Sequence, residues 1–375
     1  MGPETETTLA ALEAIGLGTL LLQIPYYTDE PKVASFFCQS PKRGRYSARE
    51  PYGLCLDFDA STARMKALAE CYERICLHNC RYDTRPGPWR DSGRRLDPAI
   101  FALPADHKNE ARLEEISGAA YHWIAACDII TGQDWQVPVQ VVRPGFGESE
   151  DVAILPKVGS SGAALGPKGS RIALHHALFE VVERTSHGSL FQSSPRDRIT
   201  ALPQRFDAML GLLERYRLEP FVFLLPNSLN VPCVLVVTVD RSGVGPAMSH
   251  AGRAAPTFGE AMEAALLESI ERRRPARLEQ SSRFWKDVDP RPRAKRTYSW
   301  PTLADLESIE PKFIQGKSIE FDELEGRRVS LDDLIERLRK RGDQVLVCDM
   351  TLPEVGRAGF EALRVLVPSL GPLPV

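Results

Sequence analysis

The chain has 375 residues, 43% apolar and 26% charged, with a formal net charge of -3 at pH 7. This apolar content excludes a disordered chain, and the near-neutral charge gives no global pull toward nucleic acid or acidic membranes. Eight cysteines in this length are too sparse for a disulfide scaffold, and the polar start Met1-Gly2-Pro3-Glu4 lacks the basic and apolar parts of a secretory signal. A cytoplasmic protein with reduced thiols is expected.

Residues 1–50 read as an N-terminal arm, with a short helix over Leu9–Ile15 and a strand over Leu20–Ile24. A helix is expected over Ser61–Asn79 with Ser61 as its N-cap, and another over Glu110–Ala126. Cys71, Cys76 and Cys80 lie along the first of these or just past its end, at a spacing that matches no zinc site and reads as thiols along one helix. Gln140–Val142 and Val152–Leu155 alternate like strands. Gly159-Ser160-Ser161-Gly162 opens a glycine-rich loop leading into a helix over Arg171–Ser186. It is not a Walker A loop, because no G-x4-G-K-[ST] is present.

A helix over Asp207–Tyr216 precedes the most apolar stretch, Phe221–Val239. Pro226 and Pro232 interrupt that stretch, so it reads as two buried strands around a turn and not as a membrane span. Phe258–Arg274 is helical, with Pro275 expected to end it. Residues 275–325 read as an insertion rich in Pro, Arg and aromatic residues. Ten Lys/Arg against three Asp/Glu fall in residues 272–296, a local charge of +7. That suits a lid or a docking surface for an acidic peptide or partner protein. A nucleic-acid site is not expected in a chain that is acidic overall. An amphipathic helix over Leu331–Arg341 and strands at Val345–Val347 and Leu363–Val367 close the chain, and the proline-rich tail from Pro368 is not expected to be helical. Interspersed strands and helices give a mixed α/β or α+β class.

One octet, A-L-x-E-x-x-E-R, occurs three times: at Ala67–Arg74, Ala177–Arg184 and Ala265–Arg272. Glutamates three apart lie one helical turn apart on the same face. Glu180 and Glu183 stand among Ile172, Leu174, Ala177, Leu178, Val181 and Val182, and carboxylates so placed need partners. Three such helices would gather six carboxylates, which repel unless cations lie between them. Mg²⁺ favours carboxylate oxygens together with substrate phosphates. His175 and His176 lack an H-E-x-x-H pattern and read as an ordinary helical pair, and no G-x-S-x-G nucleophile elbow is present.

Three E-x-x-E pairs, the second preceded by Ser161-Gly162-x-Ala164-x-Gly166, with a late Asp349-Met350-Thr351 segment, resemble the YcaO family of ATP-dependent peptide-backbone modifiers. The resemblance implies a pseudo-symmetric arrangement of mixed sheets, with helices carrying the three pairs, and a catalytic domain over residues 51–375. It implies Glu70, Glu73, Glu180, Glu183 and Glu268 as Mg²⁺ ligands. It also implies Ser161, Gly162, Glu73, Arg184, Glu271 and Arg273 as the ATP site. The implied reaction uses ATP to activate a backbone amide of a ribosomally synthesised precursor peptide, most often giving azolines from Cys, Ser or Thr. Thioamide or amidine formation and a catalytically weak scaffold subunit are the alternatives. Implied partners are the precursor peptide and a ThiF-like or TfuA-like protein, and a homodimer is compatible with the pattern. Five features depart from the family: Glu271 stands for Gln, Thr185 for Asp, Gly53-Leu54-Cys55 lacks a lysine, Pro167-Lys168 with Arg171-Ile172 replaces an Asn and a Glu, and Pro372-Leu373-Pro374-Val375 keeps only part of a P-x-P-x-P tail.

Overall fold

The computed structural model describes residues 3–40, 51–146, 155, 158–187, 196–284, 299–300, 302–310 and 316–371. They form two compact units. One comprises Met1–Ile24, Ala34–Thr185 and Leu331–Val375, and the other Pro25–Val33 and Ser186–Ser330.

The first unit begins with α1 (Pro3–Glu13), β1 (Leu20–Gln23), β2 (Ala34–Gln39) and β3 (Tyr52–Asp57). The strands pair antiparallel in the order β1-β2-β3, so the N-terminal segment is woven into a sheet. Helix α2 (Ala60–Asn79) follows. Its cap is Asp59 and not Ser61: the Asp59 carboxylate accepts the Thr62 N–H at 2.8 Å, as an N-cap must to satisfy an orphan donor. Ala67, Cys71 and Ile75 are fully buried along α2. Cys76 faces the core with them, and Cys80 sits at the helix C-cap as another free thiol.

The chain continues through β4 (Asp83–Gly87), α3 (Glu110–Gly118), β5 (Tyr121–Asp128), β6 (Gln133–Pro138), β7 (Ala163–Pro167) and α4 (Ile172–His187). The expected helix over Glu110–Ala126 stops at Gly118. Beyond it Tyr121, Trp123 and Ile124 are buried in a strand, where aromatic and β-branched side chains pack well. Gln140 lies in a 3-10 turn, Val139–Val141, and not in a strand, since Pro138 ends β6. The expected strand at Val152–Leu155 falls, apart from Leu155, outside the described residues.

The second unit holds β8 (Arg198–Thr200), α5 (Asp207–Arg215), β9 (Leu218–Leu224), β10 (Cys233–Asp240), β11 (Met248–Ala254), α6 (Phe258–Phe284), β12 (Ser299–Trp300), α7 (Leu303–Ile309) and β13 (Ser318–Glu320). Their sheet order is β12-β11-β10-β9-β8-β13. The expected apolar pair is β9 with β10, antiparallel, Leu235 opposite Phe223. Every residue of β10 is buried. Helix α6 runs through Pro275, where the sequence predicted a stop. Burial of Ala261, Met262, Ala265, Leu266 and Ile270 on the β10–β11 side outweighs the single backbone bond that proline removes. The segment read as an insertion contributes strands to this sheet, while Arg291, Arg293, Lys295 and Arg296 of the basic stretch lie outside the described residues.

The chain then rejoins the first unit with a helix over Leu331–Arg341, β14 (Leu346–Asp349), a short helix over Pro353–Arg357, and β15 (Phe360–Leu366). These strands complete the order β4-β5-β14-β15-β7, with β6 beside β5. Pro368–Leu370 forms a 3-10 turn in the tail, which a proline in the first turn permits. Among the described residues no helix is long and apolar enough to cross a membrane.

Candidate functional site

The octets lie on α2, α4 and α6, and the two glutamates of a pair are used differently. In α2, Glu70 is fully engaged. It accepts the Leu54 N–H of β3 at 2.7 Å and the guanidinium of Arg74, one turn on, at 2.5 Å, with the Cys55 thiol at 3.7 Å. Gly53 makes this contact possible: a Cβ there would stand 2.1 Å from the Ala67 carbonyl oxygen, so only glycine lets β3 lie this close to α2. Arg74 also donates to the Tyr52 carbonyl and stacks on that ring. Glu73, three residues later, makes no hydrogen bond with the described residues. Burial and then the neighbouring Glu180 carboxylate hold it well above the usual carboxylate range, against the pull of Arg74.

Helix α4 repeats the arrangement. Glu180 accepts the Gly162 N–H at 2.9 Å and Arg184 at 3.3 Å. Arg184 also lies 3.6 Å from the buried Glu183. The turn Gly159–Gly162 does not open α4 as the sequence predicted, because β7 stands between them. It is tied instead to the middle of that helix, through Glu180. Gly162 adopts φ +82, a conformation glycine takes without strain. Its N–H is thereby committed, while the N–H groups of Ser160 and Ser161 enter no hydrogen bond with the described residues. Two free N–H groups in a turn make a small anion-binding concavity. His175 packs edge-on against His176 and tilts over Phe179, an ordinary helical packing role.

In the second unit the pattern changes partners. Glu268 takes Arg272, one turn on, at 2.6 Å and Arg253 of β11 at 2.8 Å. Glu271 is partly exposed on the same helix. Arg273 was expected to meet a phosphate, and the structure gives it other work. It is 1% exposed and donates to Glu30 twice, at 2.6 and 3.0 Å, to Asp240 at 2.9 Å and to the Pro246 carbonyl at 2.9 Å. Arg277 joins Asp29 and Glu30 and stacks on Tyr27. This arginine pair ties the Pro25–Val33 segment to α6.

One charged residue of the first unit escaped the sequence reading. Arg364 lies in the apolar strand β15 and is fully buried. Val158, Val181, Leu366 and Val367 line the small cavity beside it. Burial lowers its pKa to about 10, with Glu180, Cys348 and Glu73 acting the other way. A lone charge between Leu363 and Val365 was the signal available in the sequence.

Mg²⁺ usually takes one or two carboxylates plus substrate phosphates, and not an all-protein cage. Among the described residues no three His, Cys, Asp or Glu converge as a ready metal cage. Arginines have taken the first glutamate of each pair. A neighbouring Glu73–Glu180 pair, in which Glu73 has no donor among the described residues, stands beside the Gly159–Gly162 turn and fits a metal carried on phosphates.

Mixed sheets flanked by glutamate-bearing helices, one receiving a small-residue turn, define an α+β fold suited to a metal–phosphate group. The family model described as YcaO cyclodehydratase, ATP- and Mg²⁺-binding, matches residues 58–371, and the chain belongs to the YcaO family. Its fold is that of YcaO from Methanopyrus kandleri, solved with AMPPCP and Mg²⁺, at 19% identity and TM-score 0.69, covering 97% of this chain and 90% of that one. A heterocyclase solved in complex with substrate and cofactor superposes at TM-score 0.74 and 16% identity, over 98% of this chain and 52% of that one, so the chain spans about half its length. The E. coli microcin synthetase McbBCD complex with pro-MccB17 bound is similar at TM-score 0.60 and 12% identity, covering 93% of this chain and 87% of that one. No curated protein matches the chain in sequence.

Proposed function

We propose that the protein is an ATP- and Mg²⁺-dependent enzyme that activates backbone amides of a ribosomally synthesised precursor peptide, forming azolines at Cys, Ser or Thr. The observation that carries this reading is the unequal use of the α2 glutamates: Glu70 is bound by Leu54 and Arg74, while Glu73, next to Glu180, has no hydrogen-bond donor among the described residues. In this reading Glu73 and Glu180 hold Mg²⁺ from the protein side, and Glu183, Glu70 and Glu268 orient their helices through arginine. The N–H groups of Ser160 and Ser161 receive phosphate oxygens, as anion-binding turns do. Arg184, one turn from Glu180, follows the phosphate charge when the carboxylates turn to the metal; an arginine fork suits either anion. Bound ATP with Mg²⁺ supplies the phosphoryl group that makes a peptide carbonyl oxygen a leaving group.

Recognition of the peptide is assigned to a ThiF-like or TfuA-like partner. In the E. coli microcin synthetase structure, similar in fold, the complex is bound to pro-MccB17. The test is incubation of the full chain with a precursor peptide, partner, ATP and Mg²⁺, followed by mass spectrometry. The reading expects loss of one water per modified residue in wild type and none in Glu180→Gln or Glu183→Gln. Unchanged turnover in either folded variant removes the assignment. The second reading is a scaffold subunit with weak catalysis. It is favoured by Arg273, whose guanidinium is committed to Glu30, Asp240 and Pro246 and so offers nothing to a nucleotide.

A further inference from the structure

Arg364 is an expensive residue for the place it occupies. Its Nη1 donates to the Gly159 carbonyl at 3.0 Å, while Nε and Nη2 are buried with no hydrogen-bond partner among the described residues. A guanidinium carries five N–H donors, and each buried donor left unsatisfied costs stability. Its neighbours on β15, Leu363 and Val365, are apolar, and Glu180 and Glu73 offset only part of the cost of burying its charge. Strand stability therefore does not account for an arginine here.

What the arginine does accomplish is local. Strand β15 grips the Gly159–Gly162 turn at both ends: Val365 N–H donates to the Gly162 carbonyl at 2.8 Å, and the Arg364 side chain holds the Gly159 carbonyl. Register fixes this, since Arg364 stands opposite Ala163, the first residue after the turn. From the other side Glu180 holds the Gly162 N–H. Between these clamps lie Ser160 and Ser161, whose N–H groups enter no hydrogen bond with the described residues.

We infer that Arg364 is a positioning residue: it clamps the Gly159–Gly162 turn through the Gly159 carbonyl, so that the Ser160 and Ser161 N–H groups are held ready for a nucleotide phosphate. The inference rests on the ATP reading above. The clamp itself does not, and the two are separable by experiment.

The test compares wild type, Arg364→Met and Arg364→Lys in the full chain. Three quantities are measured: ATP affinity by calorimetry in Mg²⁺, amide hydrogen exchange in the peptide spanning the turn, and the thermal midpoint. Methionine fills the strand without the clamp, so ATP affinity falls ~10-fold or more, as for other residues that orient a site from behind. Exchange in the turn rises and the midpoint does not fall. Lysine still reaches a single carbonyl and restores affinity to within ~3-fold of wild type, with turn exchange close to wild type. A methionine variant with unchanged turn exchange, or with wild-type ATP affinity, overturns the inference. Should methionine fail to fold, a folded lysine variant that loses both affinity and turn protection overturns it equally. If wild type itself binds no ATP, the nucleotide reading fails, and turn exchange in the variants still decides the clamp.

Discussion

Replacing either glutamate of α2 by glutamine removes one negative charge from the same helix, yet the two substitutions are expected to differ in sign. Glu70 accepts charge-assisted bonds from Leu54 N–H and from Arg74, at 2.7 and 2.5 Å. A bond to a charged acceptor contributes about 1.5–3 kcal/mol and a neutral one about 0.5–1.5, so neutralising Glu70 costs about 1 kcal/mol for each bond. The pair is about a quarter exposed, at 27% for Glu70 and 23% for Arg74, and solvent screening reduces the sum to about 1–2 kcal/mol. At a few degrees per kcal/mol, the midpoint of Glu70→Gln falls by about 2–6 °C. Glu73→Gln loses no hydrogen bond to the described residues, and it relieves a desolvated carboxylate pressed by Glu180. Its midpoint is expected to stay level or rise. The assay is thermal unfolding of both variants at neutral pH, with and without Mg²⁺ and ATP. Glu73→Gln should be stable but blind to Mg²⁺ with ATP, whereas Glu70→Gln, weakened at the start, still gains stability from them. Equal destabilisation by the two substitutions would refute the division of labour within the pair.

Other outcomes follow from the same geometry. The folded-state pKa of Glu73 lies above its ordinary 4.5, so the native state binds more protons and stability falls with rising pH. The contribution is fully present below the unfolded pKa and is lost as pH rises through the folded value; midpoints of the metal-free protein across pH should show this fall, and Glu73→Gln should flatten it. Gly53→Ala drives a Cβ into the Ala67 carbonyl and separates β3 from α2, so its midpoint drops and amide exchange at Leu54 rises. Arg273→Met strands the buried Asp240 and leaves the buried Glu30 with Arg277, and should cost about 3–5 kcal/mol in denaturant unfolding. A purely nucleotide-binding Arg273 would leave unfolding unchanged.

How much of this was legible in the sequence follows the range of each interaction. The octets and the helix over Leu331–Arg341 are local patterns, and the helices formed where periodicity placed them. The family resemblance rested on those octets and held. What the sequence could not show was who pairs with whom across the chain. Glu70 meets β3 only because Gly53 admits a close approach, and Arg273 meets Glu30 over a separation of 243 residues. The helix predicted over Glu110–Ala126 failed at Gly118, where strand pairing of Tyr121–Asp128 overrode helical spacing. Pro275 failed as a stop because packing on β10 and β11 held the helix. The near-zero net charge hid arginines paired closely with the glutamates, so that the acidity of the octets is balanced one turn away, at Arg74, Arg184 and Arg272.

The central claim is that the carboxylate pair and the turn serve a nucleotide carried with Mg²⁺. Calorimetric titration of the full chain with ATP, once in Mg²⁺ and once in chelator, tests it most directly. Saturable binding in Mg²⁺ that is lost in chelator and in Glu73→Gln is the predicted result. Absence of binding in Mg²⁺, or equal binding by wild type and Glu73→Gln, would contradict it.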